Sequence, residues 1–153
     1  MDAPALVSIG FRESGTTQAI LTGLSTMVQD GSLCFCEQVV NELDWSADGE
    51  VTLLWAKATT GSLAHKGADY SLVEWVGIRF GALIDDSARA SRESAAPYVV
   101  AQALSFQRKR ANVTVVTEDL ASKPTRASLA EACAFFRLRT LDLDGFLDEV
   151  GLP

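Results

Sequence analysis

Cysteine is scarce in this chain, and the few present do not pair by pattern. Cys34, Cys36 and Cys133 are an odd, sparse set, which is not the framework of a disulfide-stapled secreted domain. Cys34 and Cys36 form C-x-C with no second pair, and His65 is the single imidazole. A structural zinc site needs four such ligands, so the thiols read as small buried side chains. The lone histidine sits in a Gly/Lys-rich stretch, a poor setting for Ser-His-Asp or Cys-His catalysis. No glycine-rich phosphate loop follows any apolar run, which argues against a Rossmann or Walker nucleotide site. No apolar run approaches the roughly 20 residues of a membrane helix. Met1-Asp2-Ala3-Pro4 lacks the basic segment of a signal peptide. A cytoplasmic protein without membrane attachment is the expectation.

Positive charge is also short. The formal net charge is −7, and residues 1–75 hold only Arg12, Lys57 and Lys66 against ten acids. Such a chain repels nucleic acid at long range unless a local basic patch forms. Arg108, Lys109, Arg110, Lys123, Arg126, Arg137 and Arg139 could form one in the second half, or stand as solvated helix ends and loops.

What is present is ordinary globular material. The 153 residues are 48% hydrophobic, enough for one domain over residues 1–153. Residues 5–10 form a short apolar run ending in glycine and read as a buried strand. Ser14-Gly15-Thr16-Thr17 cap a helix to about Gln29, and Leu33-Cys34-Phe35-Cys36 read as a second strand. Helices follow over residues 37–45 and 50–59, with a break at residues 46–49. A flexible stretch at residues 61–67 precedes a helix over 69–84. Residues 85–94 read as a loop and 95–110 as a helix with Pro97 in its first turn. Residues 112–117 are β-branched almost throughout and form the clearest strand. Ser128 and Glu131 make a capping box for a helix over 129–136, residues 139–141 form a last strand, and Asp144 caps a closing helix. Alternating strands and helices predict an α/β fold with a mostly parallel sheet covered by helices. Trp45, Trp55 and Trp75 fall on helices, where aromatics join the core or line a patch for another chain.

Ligands in such sheets bind at the carboxyl ends of strands. Glu42, Glu118 and Asp119 are the carboxylates placed to converge there. Converging carboxylates hold Mg²⁺ or Mn²⁺ through oxygen, and the metal activates water and stabilises charge on a phosphodiester.

Three stretches carry a family likeness: SLCFCEQVVNELDWSADGEVTLLWAK (32–57), SAAPYVVAQAL (94–104) and VTVVTEDLASKPTRASLAEACAFFRLRTLDLDGFL (113–147). Their V-x-x-E-L helix, T-V-V-T-x-E strand, K-P-x-R loop and A-C helix resemble the PIN-domain family, the VapC-like nuclease superfamily, in its branch of longer bacterial PIN-like proteins. The resemblance implies a three-layer domain with a four- or five-stranded sheet, its first strand central. It implies three or four acids around one or two divalent metals that cut RNA. Glu42 falls on the helix acid and Glu118 or Asp119 on the acid after the later strand. Ser8 falls where the first strand should end in aspartate, Gly10 on the usual asparagine, and Ala96 on the aspartate opening a later helix. Alanine offers no ligand atom and serine only a neutral one, so metal would be held weakly. Glu13, Asp86 or Glu93 could stand in.

Two readings follow. In one the chain is a degenerate PIN-like domain, without metal and kept as a binding or regulatory module. In the other it is an active Mg²⁺/Mn²⁺-dependent ribonuclease of a toxin–antitoxin pair, using Glu42, Glu118 and Asp119 on RNA. The resemblance also implies a homodimer or an antitoxin-like protein partner.

Overall fold

The computed structural model describes residues 1–45, 50–63, 67–84, 93–109 and 112–153. Expectations for His65, Asp86, Lys66, Arg110, the break at 46–49 and most of the 85–94 loop lie outside them. In chain order the elements are α1 (Ala3–Gly10), α2 (Ser14–Asp30), α3 (Glu37–Trp45), α4 (Glu50–Thr59), α5 (Tyr70–Arg79), α6 (Ala96–Gln107), β1 (Thr114–Val116), α7 (Leu129–Phe135), β2 (Arg139–Leu141) and α8 (Leu143–Val150). The fold is mixed α/β with a parallel sheet: β1 pairs with β2, Val115 opposite Thr140. Two strands are described where four or five were expected.

The largest departure is at the start. Residues 5–10, expected as a strand, belong to helix α1. Asp2 accepts a hydrogen bond from the Ala5 N–H at 2.9 Å and Pro4 stands in the first turn, both helix-starting signals. A short run that is apolar on every side looks the same in sequence whether it is a buried strand or a buried helix. Here Ala5, Leu6 and Ile9 are fully enclosed, because α1 packs against α2, α3 and α4 together. Residues 33–36 are not a regular strand either. They have no regular secondary structure, yet Phe35 is completely buried and the Cys34 carbonyl accepts from the Met1 amino group at 3.2 Å.

Other boundaries moved by a few residues. The helix expected over 69–84 runs Tyr70–Arg79, capped by the Asp69 side chain on the Ser71 N–H, and gives way to a 3-10 turn at Gly81–Leu83. The cap of α8 is Asp142, which accepts from the Gly145 N–H, while Asp144 lies in the first turn and pairs with Arg12. Ser128 caps α7 by accepting from the Glu131 N–H at 3.1 Å. Gly31 ends α2 in the left-handed region at φ 78°, where glycine carries no steric penalty.

Cys36 and Cys133 are buried, Cys34 is partly so, and none forms a disulfide. Trp55 packs on the core, stacked near Phe35 and donating from Nε1 to Ser25 Oγ at 2.8 Å. Trp45 and Trp75 are 36% and 40% exposed, so only one of the three tryptophans is chiefly core. No helix of the described residues is long and apolar enough to cross a membrane.

Candidate functional site

Three acids from distant parts of the chain act on one another near the carboxyl end of β1: Asp2 and Asp119 share the Thr117 hydroxyl, and Glu42 is coupled to both by charge. On α3 the periodic residues Val39, Val40 and Leu43 are buried against the core, which leaves Glu42 on the flank facing the start of α6. Its Oε2 accepts the Ala95 N–H at 2.8 Å. Burial raises the Glu42 carboxyl above its ordinary value and the nearby Asp119 charge adds to this; the Ala95 bond, Arg126 and Lys123 oppose it.

Asp119 follows β1. Its Oδ2 accepts the Leu129 N–H, the first of α7, at 2.9 Å and Arg126 Nη1 at 2.6 Å. The K-P-T-R segment is a tight turn, closed by Lys123 N–H to Arg126 O at 2.8 Å and Arg126 N–H to Lys123 O at 3.2 Å. That turn throws the Arg126 guanidinium onto Asp119, where the two side chains are only 16% and 9% exposed.

The third acid is Asp2. Its backbone N–H donates to Val116 O at 3.0 Å, which sets it beside the end of β1. Its side chain receives the Thr117 hydroxyl, and Thr117 Oγ1 in turn accepts the Asp119 N–H at 2.9 Å. Asp2 is 3% exposed. Burial first, and the Glu42 charge to a smaller extent, push its carboxyl up to about 6. The Thr117 and Ala5 hydrogen bonds and the terminal amino group pull the other way.

The other expected residues fall elsewhere. Glu118 reaches the first turn of α8, its Oε1 accepting the Leu143 N–H at 2.7 Å beside the Asp142 cap. Glu93 is held by the Tyr98 hydroxyl at 2.6 Å, and its carbonyl accepts from Gln38. Ser8 and Gly10 lie at the far end of α1, about 9 Å and more along the helix from Asp2. Asp2, and not Ser8, lies beside the end of β1. Ala96 is the first residue of α6 and is nearly buried beside the Glu42 contact. Asp2 was not among the acids expected at the site. The signal available was the Asp-Ala-Pro start, a helix cap that needs an ordered neighbour.

Each of these carboxylates already satisfies a helix start: Asp2 for α1, Glu42 for α6, Asp119 for α7 and Glu118 for α8. A helix N-terminus favours negative charge within its first turn, so the acids serve the fold whatever else they do. Among the described residues every buried side-chain nitrogen and oxygen has a partner. Among the same residues no three His, Cys, Asp or Glu side chains converge so as to hold a metal ion. Arg126 occupies the Asp119 carboxylate, and Ala96 contributes no oxygen. This donor set does not fit a Mg²⁺ or Mn²⁺ centre, which needs several free oxygen ligands at once.

No curated protein and no solved structure gives a significant match to the chain. Residues 15–152 match the model of one family, a span that takes in Glu42, Ala96, Glu118 and Asp119 but not Asp2. That span is most of the chain, and the protein belongs to the family described as Domain of unknown function (DUF4411).

Proposed function

We propose that the protein is a PIN-like domain with an impaired nuclease site, working as a binding or regulatory module. The three-layer arrangement with a fuller sheet, a homodimer or antitoxin-like protein partner, and a cytoplasmic setting belong to this proposal. The observation that carries it is the Asp119–Arg126 ion pair at 2.6 Å. A guanidinium fixed on the Asp119 carboxylate supplies the positive charge that a divalent cation would otherwise bring. Ala96, at the head of α6 next to the residue that Glu42 holds, offers no ligand oxygen there.

The electrostatic coupling of Asp2 with Glu42, and of Glu42 with Asp119, favours the second reading, an active Mg²⁺/Mn²⁺-dependent ribonuclease. Titration with MnCl₂ separates the two, since a ligand bound to the native state raises its melting temperature. For the unaltered chain the expectation is no rise at millimolar Mn²⁺ and no cleavage of RNA. A rise that disappears in Glu42→Gln or Asp2→Asn, together with cleavage, would establish the active enzyme instead. Ala96→Asp adds a carboxylate next to Glu42, and a rise with Mn²⁺ is expected to appear in that variant. If it shows none, the resemblance loses its main structural support.

A further inference from the structure

A cavity of about 260 Å³ opens where the first turn of α3 meets the residues leading into α5 and one side chain of α6. Cys36, Glu37, Gln38, Asn41, Tyr70 and Tyr98 line it, and Asp2, Glu42 and Asp119 do not. The two tyrosine rings stand at 89° to each other with their centres 6.1 Å apart. Two rings set at right angles form the corner of a box, so a guest in this cavity meets aromatic surface on two sides. Tyr98 is the fixed wall: it is partly buried, and its hydroxyl donates to Glu93 Oε1 at 2.6 Å. Gln38 Nε2 donates to the Glu93 carbonyl at 2.6 Å, and Gln38 Oε1 accepts from Asn41 Nδ2 at 3.2 Å, which braces the same corner. Tyr70 heads α5 and is 76% exposed, at the open side.

The local charge has one sign. Glu37 lines the cavity, Glu93 stands behind the Tyr98 hydroxyl, and among the described residues no lysine or arginine lines it. A phenol that donates to a carboxylate shifts electron density onto its ring, and the negative face of an aromatic ring attracts cations. A hard metal ion is a poor guest: it needs about six oxygen ligands, which two carboxylates and two aromatic walls do not supply. An ammonium whose hydrogens are replaced by methyl groups is larger, sheds water readily and pairs well with aromatic faces. We propose that the cavity binds such a cation, a methylated ammonium head group, between Tyr70 and Tyr98, with Glu37 and Glu93 as counter-charges. The inference goes beyond the reading of the acidic site and does not rest on it.

The probe is choline chloride, titrated into the 153-residue chain at constant ionic strength and followed through the backbone amide signals of Asn41 and Tyr70. Saturable shifts with a dissociation constant in the millimolar range are expected. The neutral carbon isostere of choline, with a tert-butyl group for the trimethylammonium, is expected to bind at least about fivefold more weakly. Tyr70→Leu removes an exposed ring and should weaken choline about fivefold, whereas Tyr70→Phe keeps the face and should stay within about twofold of the parent. Glu37→Gln, also at an exposed residue, should weaken choline about twofold and flatten its dependence on salt. The tripeptide Gly-Lys-Gly, trimethylated on its lysine, separates the two sources of this head group. Binding more than about tenfold tighter than choline assigns the site to a modified protein side chain, and equal binding assigns it to a free amine. The absence of a saturable shift at tens of millimolar choline overturns the proposal. So does equal affinity for the neutral isostere, or equal choline affinity in Tyr70→Leu and the parent.

Discussion

Arg126→Ala is expected to lower the stability of the protein by about 2–3 kcal/mol, a large effect for one surface-loop arginine. The pair it breaks is 16% and 9% exposed at the two side chains. Removing the guanidinium leaves the Asp119 carboxylate largely out of water, with the Leu129 N–H at 2.9 Å as its remaining strong donor. Arg126 Nη1 also holds the Ala127 carbonyl at 3.0 Å, so the start of α7 loosens too. Urea unfolding measures the loss. A double-mutant cycle with Asp119→Asn isolates the ion pair, and a coupling below about 0.5 kcal/mol would show the pair to be solvated. The same substitution has an opposite consequence for cations. Glu42 and Asp119 lose a neighbouring positive charge, so Mn²⁺ should raise the melting temperature of Arg126→Ala although it leaves the parent unchanged. A destabilised variant that gains nothing from Mn²⁺ would mean that Arg126 does not stand in for a metal.

The second large effect is a pH dependence centred on Asp2. Its carboxyl is pushed up to about 6 from an ordinary value of 3.8, first by burial and then by the Glu42 charge. Between these two values the folded protein binds a proton that the unfolded chain has released. Stability therefore falls as pH rises through that window, and the whole cost is present above about 6. Its ceiling is about 3 kcal/mol, from about 1.4 kcal/mol per unit. Glu42, raised for the same first reason, adds a slope of the same sign. Asp2→Asn keeps an acceptor for the Ala5 N–H and removes the titration. The stability difference between Asp2→Asn and the parent should thus move in favour of the variant by about 2–3 kcal/mol between pH 4 and pH 7. Chemical denaturation of both proteins across that range is the measurement, and parallel curves would show that Asp2 is not buried as a carboxylate.

Helices with a marked apolar face were legible in advance. α3 shows Val39, Val40 and Leu43 at helical spacing, α7 has its Ser128 cap, and the β-branched Thr114–Val116 admits little but a strand. These assignments follow from local chemistry: side-chain period, a cap oxygen three residues from its N–H, and branching at Cβ. The pocket was legible in part. Glu42 and Asp119 lie on the elements assigned to them, and the K-P-T-R segment was visible as a loop.

What the amino-acid order by itself determined is the run of elements α2 to α8 with β1 and β2, and the acids each one carries. At α1 the Asp2 cap and Pro4 are local helix signals, but residues apolar on all sides fit a buried strand equally well, and the enclosing helices decided between the two. Tertiary structure decided that Glu118 turns to α8 while Asp119 turns to α7, a choice between adjacent acids made by which helix start lies within reach. It also decided that Asp2 lies beside the end of β1, where its carboxyl feels the Glu42 charge. A carboxyl's environment is set by residues more than a hundred positions away, as the Thr117 hydroxyl is for Asp2. Burial and charge coupling depend on distance in space, which residue order does not encode locally.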